Sequence, residues 1–135
     1  MIVIDASALA KYLLREPGYT AVEQYLIKGA YSVDHVLKEV SNAIWKHAIV
    51  YKRIPPHLAR ELYRALLMLL EGELLIVEPQ EKYMHQAFEI ALDYGIPVYD
   101  ALYVSQAKAR NWKLLTSDKV QASVAEKLEV ETIYI

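Results

Sequence analysis

Residues 96–118 read IPVYDALYVSQAKARNWKLLTSD, and the order of the elements within them decides the fold class. Asp100 opens an otherwise apolar segment that predicts a helix to about Arg110. The short apolar run WKLLT, at 112–116, predicts a strand directly after that helix. A helix that leads within a few residues into a buried strand is typical of α/β folds with a parallel sheet.

The same alternation of strands and helices runs through the rest of the chain. Further apolar runs predict strands at 1–4, 30–33, 74–79 and 132–135. Helical patterns lie between the strands, at 6–14, 20–28, 34–53, 57–71, 80–94 and 119–127. Because neither a repeat nor a linker interrupts this order, the sequence predicts one domain over residues 1–135. We expect a three-layer α/β/α sandwich with a central parallel sheet.

The amino-acid composition excludes several kinds of functional site and indicates where in the cell the protein is found. Of the 135 residues, 55% are hydrophobic and 24% are charged, and a formal net charge of −2 gives no basic footprint for nucleic acid. The absence of cysteine excludes disulfides and thiolate sites and fits a reducing cytoplasm. The first residues lack a signal-peptide pattern, and the densest apolar run, 65–70, is far shorter than the roughly 20 residues of a membrane span. The sequence predicts a cytoplasmic protein without a membrane partner.

Four acidic residues stand where open α/β sheets bind ligands, outside the carboxyl ends of the strands. Asp5 follows the first strand, Asp118 follows the fourth, and Asp100 opens a helix at the same edge. Glu39 lies one turn inside the 34–53 helix, beside its apolar face, and is able to reach that edge. Each aspartate also stands where a helix N-cap is expected, and Glu39 also fits a salt bridge at a helix rim. Both interpretations stay open at this point.

The joint pattern of these acids favours a metal centre. Carboxylates within a few ångströms of one another raise each other's pKa, and a divalent cation removes that cost. An all-oxygen site suits Mg²⁺ or Mn²⁺. The four histidines show no paired ligand spacing, and the chain has neither a glycine-rich phosphate loop nor a GxSxG motif. Metal-assisted hydrolysis of a phosphodiester is the reaction that these acids fit best.

Three segments carry a resemblance to a known family: IVIDASAL at 2–9, HVLKEVSNAIWK at 35–46 and VYDALYVSQAKARNWKLLTSD at 98–118. Together with the closing strand, they resemble the PIN domain, and more narrowly the small VapC-like toxins of prokaryotic toxin–antitoxin pairs. The resemblance spans the whole chain. It implies a Mg²⁺- or Mn²⁺-dependent endoribonuclease that cleaves RNA, is held inactive by a bound antitoxin protein and is commonly a homodimer.

The resemblance also implies roles for individual residues. The acidic catalytic set of the family carries over onto Asp5, Glu39, Asp100 and Asp118. Asp5 and Asp100 are expected to bind the metal directly, and Asp118 directly or through water. Glu39 is expected to position the attacking water or a second ion. Polar residues that accompany these acids in the family, and that also have plain structural explanations, are Ser7, Asn42, Thr116 and Ser117.

Two surface features bear on binding partners. Lys11, Arg15 and Lys38 stand near the acids and are candidates for contacts with RNA phosphates, although solvated surface charge explains them as well. The 57–71 helix carries an apolar stripe wider than one core contact needs. That stripe suggests a surface for an antitoxin or a second subunit, and a fully buried helix explains it nearly as well.

Two further function classes remain possible on the sequence. A non-catalytic module would use the same fold to bind RNA or a protein without cleaving it. A receiver-like or phosphatase-like domain also gathers acids at strand ends, but an acid on a helix, as at Glu39, fits that class poorly.

Overall fold

The computed structural model describes every residue from Met1 to Ile135. Five short parallel strands form one sheet, in the spatial order β3-β2-β1-β4-β5. Their bounds are β1 Ile2–Ile4, β2 Ala30–Val33, β3 Leu75–Glu78, β4 Lys113–Thr116 and β5 Thr132–Tyr134. Because the strands are parallel, all their carboxyl ends meet along one edge of the sheet, and this edge positions the candidate site.

Seven α-helices connect and flank the strands: α1 Ala6–Leu13, α2 Tyr19–Leu26, α3 Val36–Trp45, α4 Pro56–Glu71, α5 Met84–Tyr94, α6 Val98–Arg110 and α7 Lys119–Lys127. Helix α1 contacts α2, α3 and α4, whereas α6 contacts α5 and α7. The sheet and these two groups of helices make the three-layer α/β/α sandwich that the sequence predicts. None of the helices combines the length and the apolar content needed to cross a membrane.

Strand β1 and the middle of helix α6 are fully buried in the core. All three residues of β1 are buried, as expected for an apolar run in the middle of a parallel sheet. Every residue of α6 from Ala101 to Ala107 is buried, so this segment of the helix is enclosed on all sides. Asp100 comes directly before that segment, and the packing of α6 therefore fixes its position at the sheet edge.

The long helix predicted over 34–53 is shorter and ends differently in the structure. Its regular part runs from Val36 to Trp45, and a π-helical turn continues it to Val50. The carbonyl of His47 then accepts the backbone amide of Arg53 at 2.8 Å, which turns the chain away from the helix axis. The chain enters α4 at Pro56, in the first helical turn, where a proline is tolerated because its missing N–H has no partner there.

The helix predicted to begin at Asp100 begins two residues earlier, at Val98. Pro97 occupies the N-cap position, and its carbonyl accepts the backbone amides of Asp100 and Ala101, both at 3.1 Å. The prediction that Asp100 opens this helix is therefore wrong, and so is the interpretation of Asp100 as an N-cap. The helix predicted over 80–94 is also interrupted, because a 3₁₀ turn, Gln80–Lys82, precedes α5.

A buried polar network connects the edge strand β3 to α6. Glu78 ends β3 and accepts hydrogen bonds from the hydroxyl of Tyr83 at 2.6 Å and from Nε2 of Gln106 at 3.0 Å, and it forms an ion pair with Arg110. Burial alone would raise the pKa of Glu78, but its hydrogen bonds, led by that from Arg110, outweigh burial and lower the pKa to about 2. The network therefore stabilises the ionised carboxylate inside the fold.

Candidate metal centre

Asp5 and Asp118 follow β1 and β4, which are neighbours in the sheet, so the two carboxylates lie at the same edge. Both also cap helices. Asp5 Oδ1 accepts the backbone amide of Ala8 at 2.9 Å, and Asp118 Oδ1 accepts those of Val120 and Gln121 at 2.9 and 3.0 Å. The capping interpretation is thus right for these two residues. It does not exclude a second role, because a carboxylate has two oxygens and about four lone-pair sites.

Glu39 and Asp100 reach the same place from helices. Glu39 Oε1 accepts a hydrogen bond of 2.7 Å from the hydroxyl of Tyr103, which is buried in α6. The nearest basic side chain to Glu39 is His35, whose Nε2 lies 3.5 Å from the same oxygen. The backbone carbonyl of Asp100 accepts Nε2 of Gln121 at 3.2 Å. These contacts hold α3, α6 and α7 together around the acids.

All four acids line one cavity of about 220 Å³. Burial raises the pKa of Asp5 to about 7, since this carboxylate is almost fully enclosed. Burial, followed by the like charges of Asp118 and Glu39, raises the pKa of Asp100 to about 6. Burial also raises the pKa of Glu39, against the hydrogen bond from Tyr103. The cavity therefore concentrates negative charge that the protein alone stabilises poorly.

The donor set fits a hard divalent cation by its chemistry, although the acids are not gathered into a compact cluster. Every titratable side chain that lines the cavity, apart from Tyr103, is a carboxylate. No group of three or more acids or histidines stands close enough together to hold an ion as the side chains are placed. The cavity is thus a candidate for an oxygen-ligated ion, and its individual ligands stay predictions.

Two of the three hydroxyl residues predicted to support the acids contact Asp5. Ser7 Oγ lies 2.8 and 2.9 Å from the two carboxylate oxygens of Asp5, and it accepts the backbone amide of Ser117 at 2.9 Å. Thr116 Oγ1 donates to Asp5 Oδ2 and accepts the backbone amide of Asp118 at 3.0 Å. Ser7 and Thr116 thus orient Asp5, whereas the Ser117 hydroxyl is buried without a partner.

The remaining predicted residues lie outside this cavity. Asn42 is exposed and lines a neighbouring groove. Lys11 donates to the main-chain oxygen of Ile135 at 3.1 Å. Arg15 and Lys38 are exposed to solvent. Roles for these four residues stay predictions.

Sequence reasoning missed Gln121, which is buried and lines the cavity. Its backbone amide is capped by Asp118, its Nε2 binds the carbonyl of Asp100, and its Oε1 has no partner. A glutamine three residues after an N-cap aspartate is a recognisable helix-start pattern, so the spacing of Asp118 and Gln121 was a usable signal. Its contact with Asp100 depends on the packing of α6 against α7 and is not visible in the sequence.

The sequence and the fold are both similar to those of known proteins. Residues 2–127 match the family model described as the PIN domain. The chain is 30% identical over 131 residues to ribonuclease VapC3 of Pyrobaculum aerophilum, covering 93% of each protein. Among solved structures, PAE2754 from Pyrobaculum aerophilum matches with a TM-score of 0.68 and 20% identity, over 94% of this chain and 90% of that one. FitAcB from Neisseria gonorrhoeae matches with a TM-score of 0.62 and 20% identity, over 98% and 96% of the two chains.

These similarities differ in what they establish. At 20% identity the two solved structures bear on the fold alone, and they agree with the parallel α/β/α architecture. The family model covers nearly all of the chain, and the VapC3 relative is aligned with it almost from end to end. The resemblance seen in the sequence is confirmed, and this chain belongs to the PIN-domain family.

Proposed function

We propose that the chain is a divalent-metal-dependent endoribonuclease, which hydrolyses RNA phosphodiesters at the four-carboxylate cavity. The observation that carries this proposal is the arrangement of Asp5, Glu39, Asp100 and Asp118 around one cavity, with the pKa of Asp5 raised to about 7 and that of Asp100 to about 6. Raised carboxylate pKa values are expected where a cation normally balances the charge. The relation to a named ribonuclease supports RNA as the substrate.

The oxygen-only donor set fits Mg²⁺ or Mn²⁺. Asp5 and Asp100 would bind the ion directly, and Asp118 directly or through water. Such an ion, when bound, lowers the pKa of a coordinated water and neutralises charge on the phosphoryl group.

The residues of the chain supply orientation. Ser7, Thr116 and the amide of Ala8 hold the carboxylate of Asp5 in one position. The hydroxyl of Tyr103 holds Oε1 of Glu39, so Oε2 of Glu39 is left to orient a water beside the scissile phosphodiester. Fixing both carboxylates before substrate binds reduces the reorganisation that the reaction would otherwise require.

We further propose that the chain is the toxin of a toxin–antitoxin pair, which binds a cognate antitoxin and forms a homodimer. The support is the relation to a VapC protein and an exposed apolar surface on α3 and α4. Only Leu66 of α4 is buried, so the fully buried helix considered for 57–71 does not apply. Trp45, Tyr63 and Met68 are 50%, 47% and 67% exposed, and such side chains favour a protein partner. The cytoplasmic location expected from the sequence stays a prediction.

A non-catalytic RNA- or protein-binding module is the second candidate. It is favoured by one observation, which is that no three acids are close enough together to form a ready-made metal site. On this alternative the acids are structural, as the capping bonds of Asp5 and Asp118 illustrate.

Cleavage of RNA by the purified chain tests the proposal. Labelled single-stranded RNA is incubated with protein in EDTA, after addition of excess Mg²⁺ or Mn²⁺, and with the variant Asp5→Asn. We expect cleavage only with metal and near-complete loss in the variant, because Asp5 is a proposed ligand. Cleavage that persists in EDTA or in Asp5→Asn would contradict the mechanism. No cleavage with Mn²⁺, and a melting temperature unchanged by metal, would favour the binding module.

Thr116→Val tests whether the support of Asp5 matters for the reaction. Valine has the same shape but removes the hydroxyl that links Asp5 to the amide of Asp118. We expect kcat to fall by about 10- to 100-fold, as is typical when a hydrogen bond that orients a metal ligand is removed. The control is Thr132→Val in β5, whose hydroxyl binds the carbonyl of Val130 at a distance from the cavity. A kcat for Thr116→Val equal to that of the control would show that Thr116 has no supporting role.

A further inference from the structure

A second groove adjoins the metal cavity on the side of α3, and the proposed reaction leaves it without a role. The groove has a volume of about 390 Å³. It shares Glu39 and Ala43 with the metal cavity, so the two spaces lie on either side of one wall. The other residues that line it are His35, Lys38, Asn42, Lys46 and Tyr99. Apart from Glu39 the groove contains no acid, and its two lysines make it cationic beside an anionic cavity.

We propose that this groove binds the nucleotide next to the scissile phosphodiester of a single-stranded RNA. Tyr99 is the stacking surface for its base, and Lys38 and Lys46 contact the phosphates that lead away from the metal cavity. This inference rests on the proposed ribonuclease function, because the metal cavity defines where the scissile bond lies.

Tyr99 has the geometry of a base-stacking platform. The residue is 60% exposed. One face lies on the ring of His35, with the centroids 4.8 Å apart and the planes inclined by 22°. The His35 side chain is itself only 12% exposed, so it supports Tyr99 from inside the fold. Tyr99 also directly precedes Asp100 in the chain, and the groove that it lines shares Glu39 and Ala43 with the metal cavity.

Three polar side chains, on α3 and at the start of the π-helical turn that follows it, form a line that leads away from the cavity. Lys38, Asn42 and Lys46 are spaced four residues apart, so they lie along one face of the helix over about 12 Å. All three are exposed, and neither lysine forms an ion pair with a carboxylate. Two unpaired ammonium groups beside four acids are what an anionic strand needs in order to approach the cavity.

Asn42, whose expected role beside Glu39 stays a prediction, is a further polar residue of the groove. It lines this groove between the two lysines and does not line the metal cavity. An exposed amide offers both a donor and an acceptor, which suits contact with a sugar hydroxyl or a base edge. Its place in the groove is consistent with a role in holding the substrate.

Binding of RNA to a cleavage-deficient protein tests the subsite separately from catalysis. The full chain carrying Asp100→Asn is titrated, in Mg²⁺, against a fluorescent single-stranded RNA of roughly 12 nucleotides and against a duplex of the same sequence. Tyr99→Ala is expected to weaken binding of the single strand about tenfold and binding of the duplex less than about twofold, since paired bases are not free to stack on the ring. Tyr99→Phe is expected to bind like the parent, because it keeps the aromatic face.

The salt dependence of RNA binding tests the two lysines separately from Tyr99. Replacing both Lys38 and Lys46 by alanine is expected to lower the slope of log K against log salt by roughly 1.4 for the single strand, or about 0.7 for each phosphate that a lysine no longer neutralises. Phe88→Ala and Lys127→Ala, which change an exposed aromatic side chain and an exposed lysine outside the groove, are the matched controls. They are expected to leave both the affinity and the slope unchanged.

The outcomes separate this subsite from the ribonuclease proposal. Single-strand binding that is unchanged by Tyr99→Ala and by the lysine pair would overturn the subsite, even if the unmodified chain cleaves RNA. Equal weakening of single strand and duplex by Tyr99→Ala would overturn the stacking role. If the variants weaken single-strand binding as expected but the unmodified chain never cleaves RNA with Mn²⁺, the groove is an RNA site and the ribonuclease proposal is wrong.

Discussion

Asp100→Asn is expected to reduce RNA cleavage at least about 1000-fold while leaving the metal-free protein no less stable than the unmodified chain. The loss of activity follows from the removal of a proposed metal ligand, and several kcal/mol of transition-state stabilisation depend on the metal. The stability follows from the environment of Asp100. Burial, then the charges of Asp118 and Glu39, raise its pKa to about 6, so near neutral pH its negative charge costs more in the folded protein than in the unfolded chain. Asparagine removes that repulsion without removing a helix cap, since Pro97 holds that position.

The gain in stability is expected to be modest. Asp100 is only partly buried, so solvent screens much of the repulsion, and we expect an increase of about 1 kcal/mol in the free energy of unfolding at about pH 7.5. Denaturant unfolding measured without metal checks this value, and a cleavage assay with Mn²⁺ checks the activity. Asp93→Asn, at an exposed position of α5, is the matched control and is expected to change neither. An active Asp100→Asn variant would exclude Asp100 as an essential ligand, and an inactive variant that is also unfolded would contradict the stability argument.

The expectation that Asp100→Asn loses activity but not stability depends on the position of Asp100 within its helix, which the sequence did not reveal. The sequence placed Asp100 at the first position of its helix, where an aspartate is stabilising. The structure places it at the third residue of the helix, after Val98 and Tyr99, and Pro97 holds the N-cap position. Proline fixes its own backbone and disfavours a helical conformation in the residue before it, but whether it begins a helix or ends a loop depends on packing. Here the carbonyl of Pro97 accepts the backbone amides of Asp100 and Ala101, so the helix begins directly after the proline.

Local patterns predicted the fold class and the strand ends, because both are local properties. The apolar runs at Ile2–Ile4 and Lys113–Thr116 are strands, and an aspartate ends or follows each of them at the sheet edge. The adjacency of β1 and β4 was not predicted, because strand order is set by contacts between residues about 110 positions apart, such as Ile2 with Lys113. Adjacency is nevertheless what allows Thr116 to bind Asp5, so the supporting part of the site depends on it.

The buried polar residues that were not predicted from the sequence depend on side-chain contacts between residues far apart in the chain. Gln106 and Arg110 follow a helical pattern and are polar, which predicts a solvated face. In the structure Gln106 is fully buried whereas Arg110 is exposed, and both residues donate to Glu78, at the end of β3. A polar residue can be buried only when a partner satisfies it, and the partner here is 28 residues away from Gln106 and 32 from Arg110. The same reasoning applies to Gln121 beside Asp100.

The metal-free protein is expected to lose stability as the pH rises from about 5.5 to about 8. The pKa of Asp5 is raised from its usual 3.8 to about 7, chiefly by burial, and that of Asp100 is raised to about 6. In this range the folded protein holds protons that the unfolded chain has already released, so each rise in pH favours unfolding. For Asp5 alone the expected loss is about 2 kcal/mol, which lowers the melting temperature by roughly 5–10 °C. Glu78 has a lowered pKa and acts in the opposite direction, but only at more acidic pH.

Melting temperatures measured across this pH range, with and without Mg²⁺, check the expectation. Burial lowers the pKa of His35, which works against the trend near pH 6, so the unmodified chain is compared with Asp5→Asn, where the contribution of His35 cancels. The difference between the two proteins is expected to grow with pH in the absence of metal. A cation that binds only the folded protein, through ionised carboxylates, must stabilise it more at about pH 8 than at about pH 5.5. If Mg²⁺ instead raises the melting temperature equally at both pH values, the ion does not bind at Asp5 and the candidate metal centre is wrong, because binding there has to displace the proton that burial retains.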